Sequence, residues 1–198
     1  MPTPNYIRLF VKTWRLIALA IFVGAGLAVA FSFAQPLRYS STVRLLITQT
    51  NNVGVDPYTA IKSTERIAQN LSEIVYTSSF FNAVKEKAQI DPSYFSTDEI
   101  SRRKEWRSTI ETSVSAGTGV MSVTAYHTTR AVATELAVRV AQELANVAPN
   151  YFGYSVRVQI IDDPLPSRFF AKPDFLQNAL LGAIAGFLLG TAWVLGRG

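Results

Sequence analysis

The sequence predicts an α+β domain carried between two membrane-spanning helices, and three observations lead there. Leu16–Ala34 and Phe175–Leu195 are apolar runs without a charge, near opposite ends of the 198-residue chain. At about 1.5 Å per helical residue they reach roughly 28 and 31 Å, against a hydrocarbon core of about 30 Å. Between them, β-branched strand-like stretches alternate with runs of helical period, the pattern of a mixed domain. The chain therefore divides into a basic amphipathic segment (1–15), a first span (16–34), an extracytoplasmic domain (35–174), a second span (175–195) and a cytoplasmic end (196–198).

Charge follows the same division. Arg8, Lys12 and Arg15 precede the first span, Arg197 follows the second, and the first acidic residue is Asp56. The net charge of +5 is thus mostly juxtamembrane, with anionic lipid head groups as its counter-charge and no nucleic-acid partner implied. The basic residues before the first span place both termini in the cytoplasm of a bacterial cell, by the positive-inside rule. Arg38, Arg44, Arg168 and Lys172 weigh against this from the other side, but the first span usually dominates. Ser32-Phe33-Ala34 offers the small residues of a cleavage site, yet the apolar run exceeds the 7–15 residues of a signal peptide, so the span is expected to stay.

Arg8, Lys12 and Arg15 share one helical face and Ile7, Phe10, Val11 and Trp14 the other, which predicts an interfacial helix leading into the span. Tyr39–Thr48 is the first strand, and Asn51–Asp56 a loop. Asp56-Pro57 starts a helix, with a capping carboxylate and proline at its first position. Its stripe is Ala60, Ile61, Thr64, Ile67, Ala68, Leu71, Ile74 and Val75. A second helix runs Phe80–Lys87, and Asp91-Pro92 breaks the chain. Ser96-Thr-Asp-Glu99 reads as a capping box for a charged helix to Arg107. Thr109–Ala116 and Val120–Tyr126 are strands joined by a turn at Gly117-Thr118-Gly119. Thr128–Val147 is the strongest helix, with Val132, Leu136, Val140, Leu144 and Val147 as its stripe and Glu135, Arg139 and Glu143 as spaced opposite charges. Val156–Ile161 is the last strand. This order (strand, helices, strand, strand, helix, strand) predicts a ferredoxin-like βαββαβ sandwich.

Candidates for chemistry are few. The chain has no cysteine and one histidine, His127, which excludes disulfides, thiol catalysis and a zinc site. Gly117-Thr-Gly119 lacks the following Lys-Ser/Thr and helix of a phosphate loop. Asp162 and Asp163 are adjacent in a strand and face opposite ways, so they read as a strand-ending pair before Pro164. Arg102-Arg103-Lys104 with Arg107 could contact an acidic glycan or lie solvated on a helix face. No catalytic, cofactor-binding or metal-ligating residue is assigned. In the second span Gly182, Gly186 and Gly190 form two overlapping GxxxG units, a groove for another helix from the same chain or a second copy, and Gly24 and Gly26 make a lesser notch in the first.

Together these pieces resemble the polysaccharide co-polymerases, the Wzz-type chain-length determinants. The resemblance rests on Tyr6-Ile-Arg-Leu-Phe-Val-Lys-Thr-Trp-Arg15 entering the first span, the strand Tyr39–Ile47 directly after it, and Val120–Tyr126 followed by the Ala-rich helix Arg130–Ala148. Val158-Gln-Ile-Ile-Asp-Asp-Pro-Leu-Pro166 then leads through Lys172-Pro173 to the second span, so that Pro164, Pro166, Lys172 and Pro173 stand where the family has its proline-rich juxtamembrane segment. With no long barrel-building helix, this would be a short member. The resemblance implies a non-enzymatic, homo-oligomeric inner-membrane scaffold that regulates the chain length or export of a surface polysaccharide such as O-antigen, capsule or exopolysaccharide. Implied partners are a polymerase or export machine, the glycan, membrane lipids and a separate cytoplasmic tyrosine kinase. The alternative is the sensor region of a two-span receptor.

Overall fold

The computed structural model describes residues 6–50, 56–88, 94–153 and 155–197. Two compact units appear, one formed by the two terminal segments up to Leu37 and from Lys172, the other by Arg38–Ala171.

The terminal unit holds α1 (Tyr6–Phe33) and, last in the chain, α6 (Phe175–Arg197). Their stretches Lys12–Phe33 and Phe175–Gly196, 22 residues each, are long and apolar enough to cross a membrane. The helix expected to lead into the first span is continuous with it, since α1 runs unbroken from Tyr6. Nothing in 6–16 breaks a helix, since the stretch lacks glycine and proline.

The central unit is α+β. Its elements are β1 (Tyr39–Gln49), α2 (Pro57–Ile74), α3 (Ser78–Lys87), α4 (Glu99–Thr109), β2 (Ile110–Val114), β3 (Val120–His127), α5 (Arg130–Phe152) and β4 (Val156–Pro166). The four strands form one antiparallel sheet in the order β2-β3-β1-β4. Alternation decides its faces. Val43, Leu45 and Ile47 of β1 and Met121, Val123 and Ala125 of β3 are buried, while Thr42, Arg44, Ser122 and Thr124 lie on the opposite, partly open face. Onto the buried face α5 sets Ala133, Leu136, Ala137, Val140, Ala141, Leu144 and Ala148, all fully buried. The expected stripe had Val132 and Val147 in it. Both are only half-buried, because alanines let the helix approach the sheet more closely than valines would.

Local rules account for most boundaries. Asp56 caps α2 by accepting from the amides of Tyr58 and Thr59, and Pro57 follows it. In α2 Ile67, Ala68 and Leu71 are buried with Val75 just beyond, but Ile61 of the expected stripe is 46% exposed. Gly117 takes a left-handed φ of 69°, as the hairpin turn requires. Gly119 serves a different need: its carbonyl accepts from Ile47 N at 2.8 Å, and a Cβ there would strike the Ile47 carbonyl.

Three boundary expectations are corrected. The helix of Glu99–Thr109 is capped by Asp98, whose carboxylate accepts from Ser101 N at 2.9 Å, and not by Ser96. Ser96 Oγ accepts from Asp98 N instead, so the capping box is replaced by an aspartate cap two residues further along the chain. The strongest helix continues five residues past Val147, through Pro149. Buried Ala148 and half-buried Phe152 pack on the core there and offset the hydrogen bond that proline cannot make. The last strand continues past Ile161 to Pro166, so Asp162 and Asp163 lie within it. Between Thr42↔Leu165, Arg44↔Asp162 and Leu45↔Ile160 its register slips twice, which places Pro164, without an N–H, at a bulge of an edge strand. The expected loop at 51–55 and the Asp91-Pro92 break lie outside the described residues.

Candidate functional site

The glycine ladder of α6 faces α1. A Cβ added at Gly186 would lie 3.0 Å from Ile21 Cα and closer still to the Ala20 carbonyl. One at Gly182 would meet the Gly24 carbonyl and the Ala28 methyl, and one at Gly190 would lie 3.0 Å from the Ala20 methyl. Gly24 repays the contact, since its own Cβ would collide with the Gly182 carbonyl. Gly26 has nothing within 4 Å. Of the two glycines of the first-span notch, Gly24 alone is in the seam. Four-residue spacing keeps the missing side chains on one stripe, and the backbones close on each other there.

A polar latch, absent from the sequence reading, sits at the end of this seam. Asn178 Nδ2 donates to Ser32 Oγ at 2.8 Å, and Ser32 Oγ donates to the Ala28 carbonyl at 2.9 Å. Beside it the Phe33 and Phe175 rings lie 5.0 Å apart, and Asp174 caps α6 by accepting from Gln177 N. The signal was legible in hindsight: Ser32 and Asn178 are polar residues at the ends of apolar runs, able to hydrogen-bond across two facing helices.

The remaining candidates disperse. Of the basic run on α4, Arg102 lies 5.4 Å from the Phe81 ring centre, Arg103 bonds Glu99 at 2.6 Å, and Arg107 lies 4.8 Å from the Tyr76 ring centre. Three of the four cations are thus occupied within the domain, and the Arg103 contact holds the Glu99 carboxyl below its usual range. His127 ends β3 and is 8% exposed; its Nδ1 accepts from Thr129 N at 2.9 Å and its ring stands 4.5 Å from that of Tyr94. Burial, then the nearby Arg38 charge, push its pKa below the ordinary histidine value, so it is a neutral, packed ring. Asp162 and Asp163 are exposed, with Asp162 opposite Arg44. Pro164 and Pro166 lie on β4 in the central unit, while Lys172 and Pro173 belong to the terminal one.

Two further arrangements escaped the sequence. Glu143, expected among the surface charges of α5, is buried and receives Lys87 Nζ of α3 at 2.5 Å, leaving Arg139 to Glu135 at 3.9 Å. Along α2, an open hollow of about 480 Å³ is lined by Thr59, Lys62, Ser63, Glu65, Arg66 and Gln69 and crossed by the Lys62–Glu65 ion pair at 3.0 Å. Among the described residues, no group of three or more His, Asp or Glu is placed to share a metal ion. No family model matches the chain, and no curated protein sequence matches it.

Proposed function

We propose that the chain is a non-enzymatic, oligomeric scaffold of the bacterial cytoplasmic membrane that sets the length, or assists the export, of a surface polysaccharide. The observation that carries this reading is the seam between α1 and α6. Helices that meet backbone to backbone at Gly24, Gly182 and Gly186 make a stiff two-helix anchor, whose outward faces carry exposed side chains such as Phe22, Leu27, Leu176 and Leu188. The chain passes between the central unit and that anchor twice, at Leu37–Arg38 and Ala171–Lys172. Such a build suits a protein that positions partners.

In this reading residues 35–174 lie outside the cytoplasm, both termini lie inside, and the central unit is a ferredoxin-like, Wzz-type domain; the strand order β2-β3-β1-β4 supports the last point. The partners are further copies, a polymerase or export machine with its glycan, and a separate cytoplasmic tyrosine kinase. Because α1 fills the glycine groove, contacts between copies fall to other surfaces, and the β4 edge, with Ile160 and Ile161 exposed, is open to pairing.

The test is deletion of the gene, followed by gel sizing of the extracted surface polysaccharide. The expected outcome is an altered length distribution with the same sugars and linkages. An unchanged profile overturns the scaffold reading, and loss of one particular linkage replaces it with an enzyme. Topology is checked separately with Ile100→Cys in this cysteine-free chain, which an impermeant thiol reagent should label from outside.

A further inference from the structure

Beyond Val158, β4 leaves the core. Leu165 is 74% exposed, and in the segment that follows Phe169 is 80% and Phe170 45% exposed. That segment is nevertheless strapped down. Ser167 N donates to the Ser40 carbonyl at 2.8 Å, Ser40 N to Ser167 Oγ at 3.0 Å, and Ala171 N to the Arg38 carbonyl at 2.8 Å. Arg130 donates to the Arg168 carbonyl at 2.6 Å. The Phe170 ring packs 4.6 Å from that of Tyr39, which also carries the Arg130 guanidinium at 4.6 Å. Phe170 is thus turned inward by its neighbours, and Phe169 is presented outward on an ordered frame.

We propose that this strap is a membrane-interface contact, in which Leu165 and Phe169 enter the boundary between head groups and acyl chains while Arg168, with the N–H groups that Arg38 and Arg130 do not use on Ser108 and on the Arg168 carbonyl, holds the phosphates of anionic lipids. The inference rests on reading α1 and α6 as membrane spans. Phe169 precedes the first residue of α6 by six positions, and Arg38 follows the last of α1 by five, so the chain keeps them within about 21 and 18 Å of those helix ends. Exposed aromatic and aliphatic side chains on a segment that carries Arg168 and is bonded to Arg38 and Arg130 have the composition of an interfacial contact. Of the carboxylates on the same strand, Asp162 lies between the two register slips and stands opposite Arg44, and Asp163 follows it within the second slip. A second copy is the weaker occupant: two such straps facing each other about a twofold axis would oppose cation to cation. The frame also matters for strength, since a segment already fixed by four hydrogen bonds loses little freedom when it docks.

The absence of cysteine makes the test direct. The full chain is reconstituted in lipid nanodiscs after Phe169→Cys substitution and attachment of an environment-sensitive fluorophore, with Leu165→Cys as a second reporter. Leu188→Cys on α6 and Ile100→Cys on α4, whose side chain is 81% exposed, are the two references. The quencher is a nitroxide carried high on the acyl chain of phosphatidylglycerol. The expected result is a blue shift and strong quenching at 169 and 165, quenching at 188, and none at 100. Arg168→Gln with Arg130→Gln should reduce quenching at 169 in phosphatidylglycerol discs. Quenching at 188 with 169 and 165 behaving like 100 overturns the strap contact and leaves the spans in place. No quenching at 188 overturns the membrane reading and the strap with it. A blue shift at 169 that grows with protein-to-disc ratio, without quenching by lipid, assigns the surface to a second copy and overturns the lipid contact.

Discussion

Between α3 and α4 the central unit is filled by Trp106, Phe81 and Phe95, with ring centres 5.1 to 5.8 Å apart; between α1 and α6 the space is emptied by Gly24, Gly182 and Gly186. With α1 and α6 read as membrane spans, as proposed above, the contrast follows from the surroundings. In water, burying large apolar side chains is itself the driving force, so volume stabilises. In a bilayer the lipid is as apolar as leucine, and helices gain only by close packing and hydrogen bonds, so absence of volume stabilises. Removing volume should therefore cost the central unit most, and adding it should cost the helix seam most. Hydrogen exchange read by mass spectrometry, peptide by peptide, can follow them separately.

The largest effect belongs to Trp106. Its indole is 2% exposed, and its Nε1–H donates to the Val75 carbonyl at 2.7 Å. Trp106→Ala removes the packing and strands that carbonyl, which should cost about 3–5 kcal/mol. Peptides from β1 and β3 should exchange much faster, and peptides from α1 and α6 should not. Equal loss of protection in the helices would break the comparison, because the units would then not be independent.

Adding volume is the converse experiment. Gly186→Leu forces α6 away from Ala20 and Ile21 and should cost the seam about 2–3 kcal/mol, while Gly26→Leu, with open space around it, should change nothing. A disulfide formed by Ser32→Cys with Asn178→Cys, whose native side chains touch, reports the seam. Its yield should fall with Gly186→Leu and hold with Gly26→Leu. Equal yields would mean that the glycines do not set the packing.

How much of this was legible in the sequence differs between the two units for the same reason. Long apolar runs, strand alternation and the Asp56-Pro57 cap are local signals, and the strands and helices they predict are present with small shifts of boundary. The shifts come from contacts that are not local. Phe152 and Ala148 carry α5 through Pro149 because the core receives them, and β4 passes Asp162 because β1 lies alongside to pair with it. The glycine ladder announced itself by spacing, but spacing cannot name the helix that fills it. The buried Glu143 misled for a similar cause: at four-residue spacing from Arg139 it looked like a surface pair, and only the packing of α3 on α5 shows that its partner is Lys87.

That pair gives the third prediction, confined to the central unit. Lys87→Met leaves the Glu143 carboxylate 5% exposed and unpaired, which should cost about 1–2 kcal/mol, tempered by the half-exposed lysine. Adding Glu143→Gln should recover part of the loss. Arg139→Ala should stay within about 0.5 kcal/mol, as an exposed partner does. Strictly additive effects of Lys87→Met and Glu143→Gln would show that the two charges do not interact.

Acidity separates the units without any change of volume. The two apolar stretches, 16–33 and 175–196, contain no titratable side chain, whereas the central unit buries His127. The folded pKa of His127 lies below its unfolded value, chiefly through burial. Above about pH 6.5 the ring is neutral in both states and its contribution to stability is complete. As the pH falls below that value the unfolded chain takes up the proton first, so the contribution shrinks until the pH has passed the folded pKa. The slope in that window cannot exceed about 1.4 kcal/mol per pH unit for one group. Asp56, Asp98 and Glu99 have pKa values lowered by hydrogen bonds from Thr59, Ser101 and Arg103 respectively, and their contributions are lost only further down, below about pH 4. Between pH 7.5 and 5, then, denaturant unfolding of the central unit should become easier while the Ser32→Cys with Asn178→Cys cross-link forms unchanged once its yield is corrected for thiol ionisation. His127→Gln keeps an acceptor near Thr129 N and removes the proton site, so its stability should be flat across the same window. A wild-type profile as flat as that of the variant would mean that the ring is solvated, and the buried, neutral His127 would be wrong.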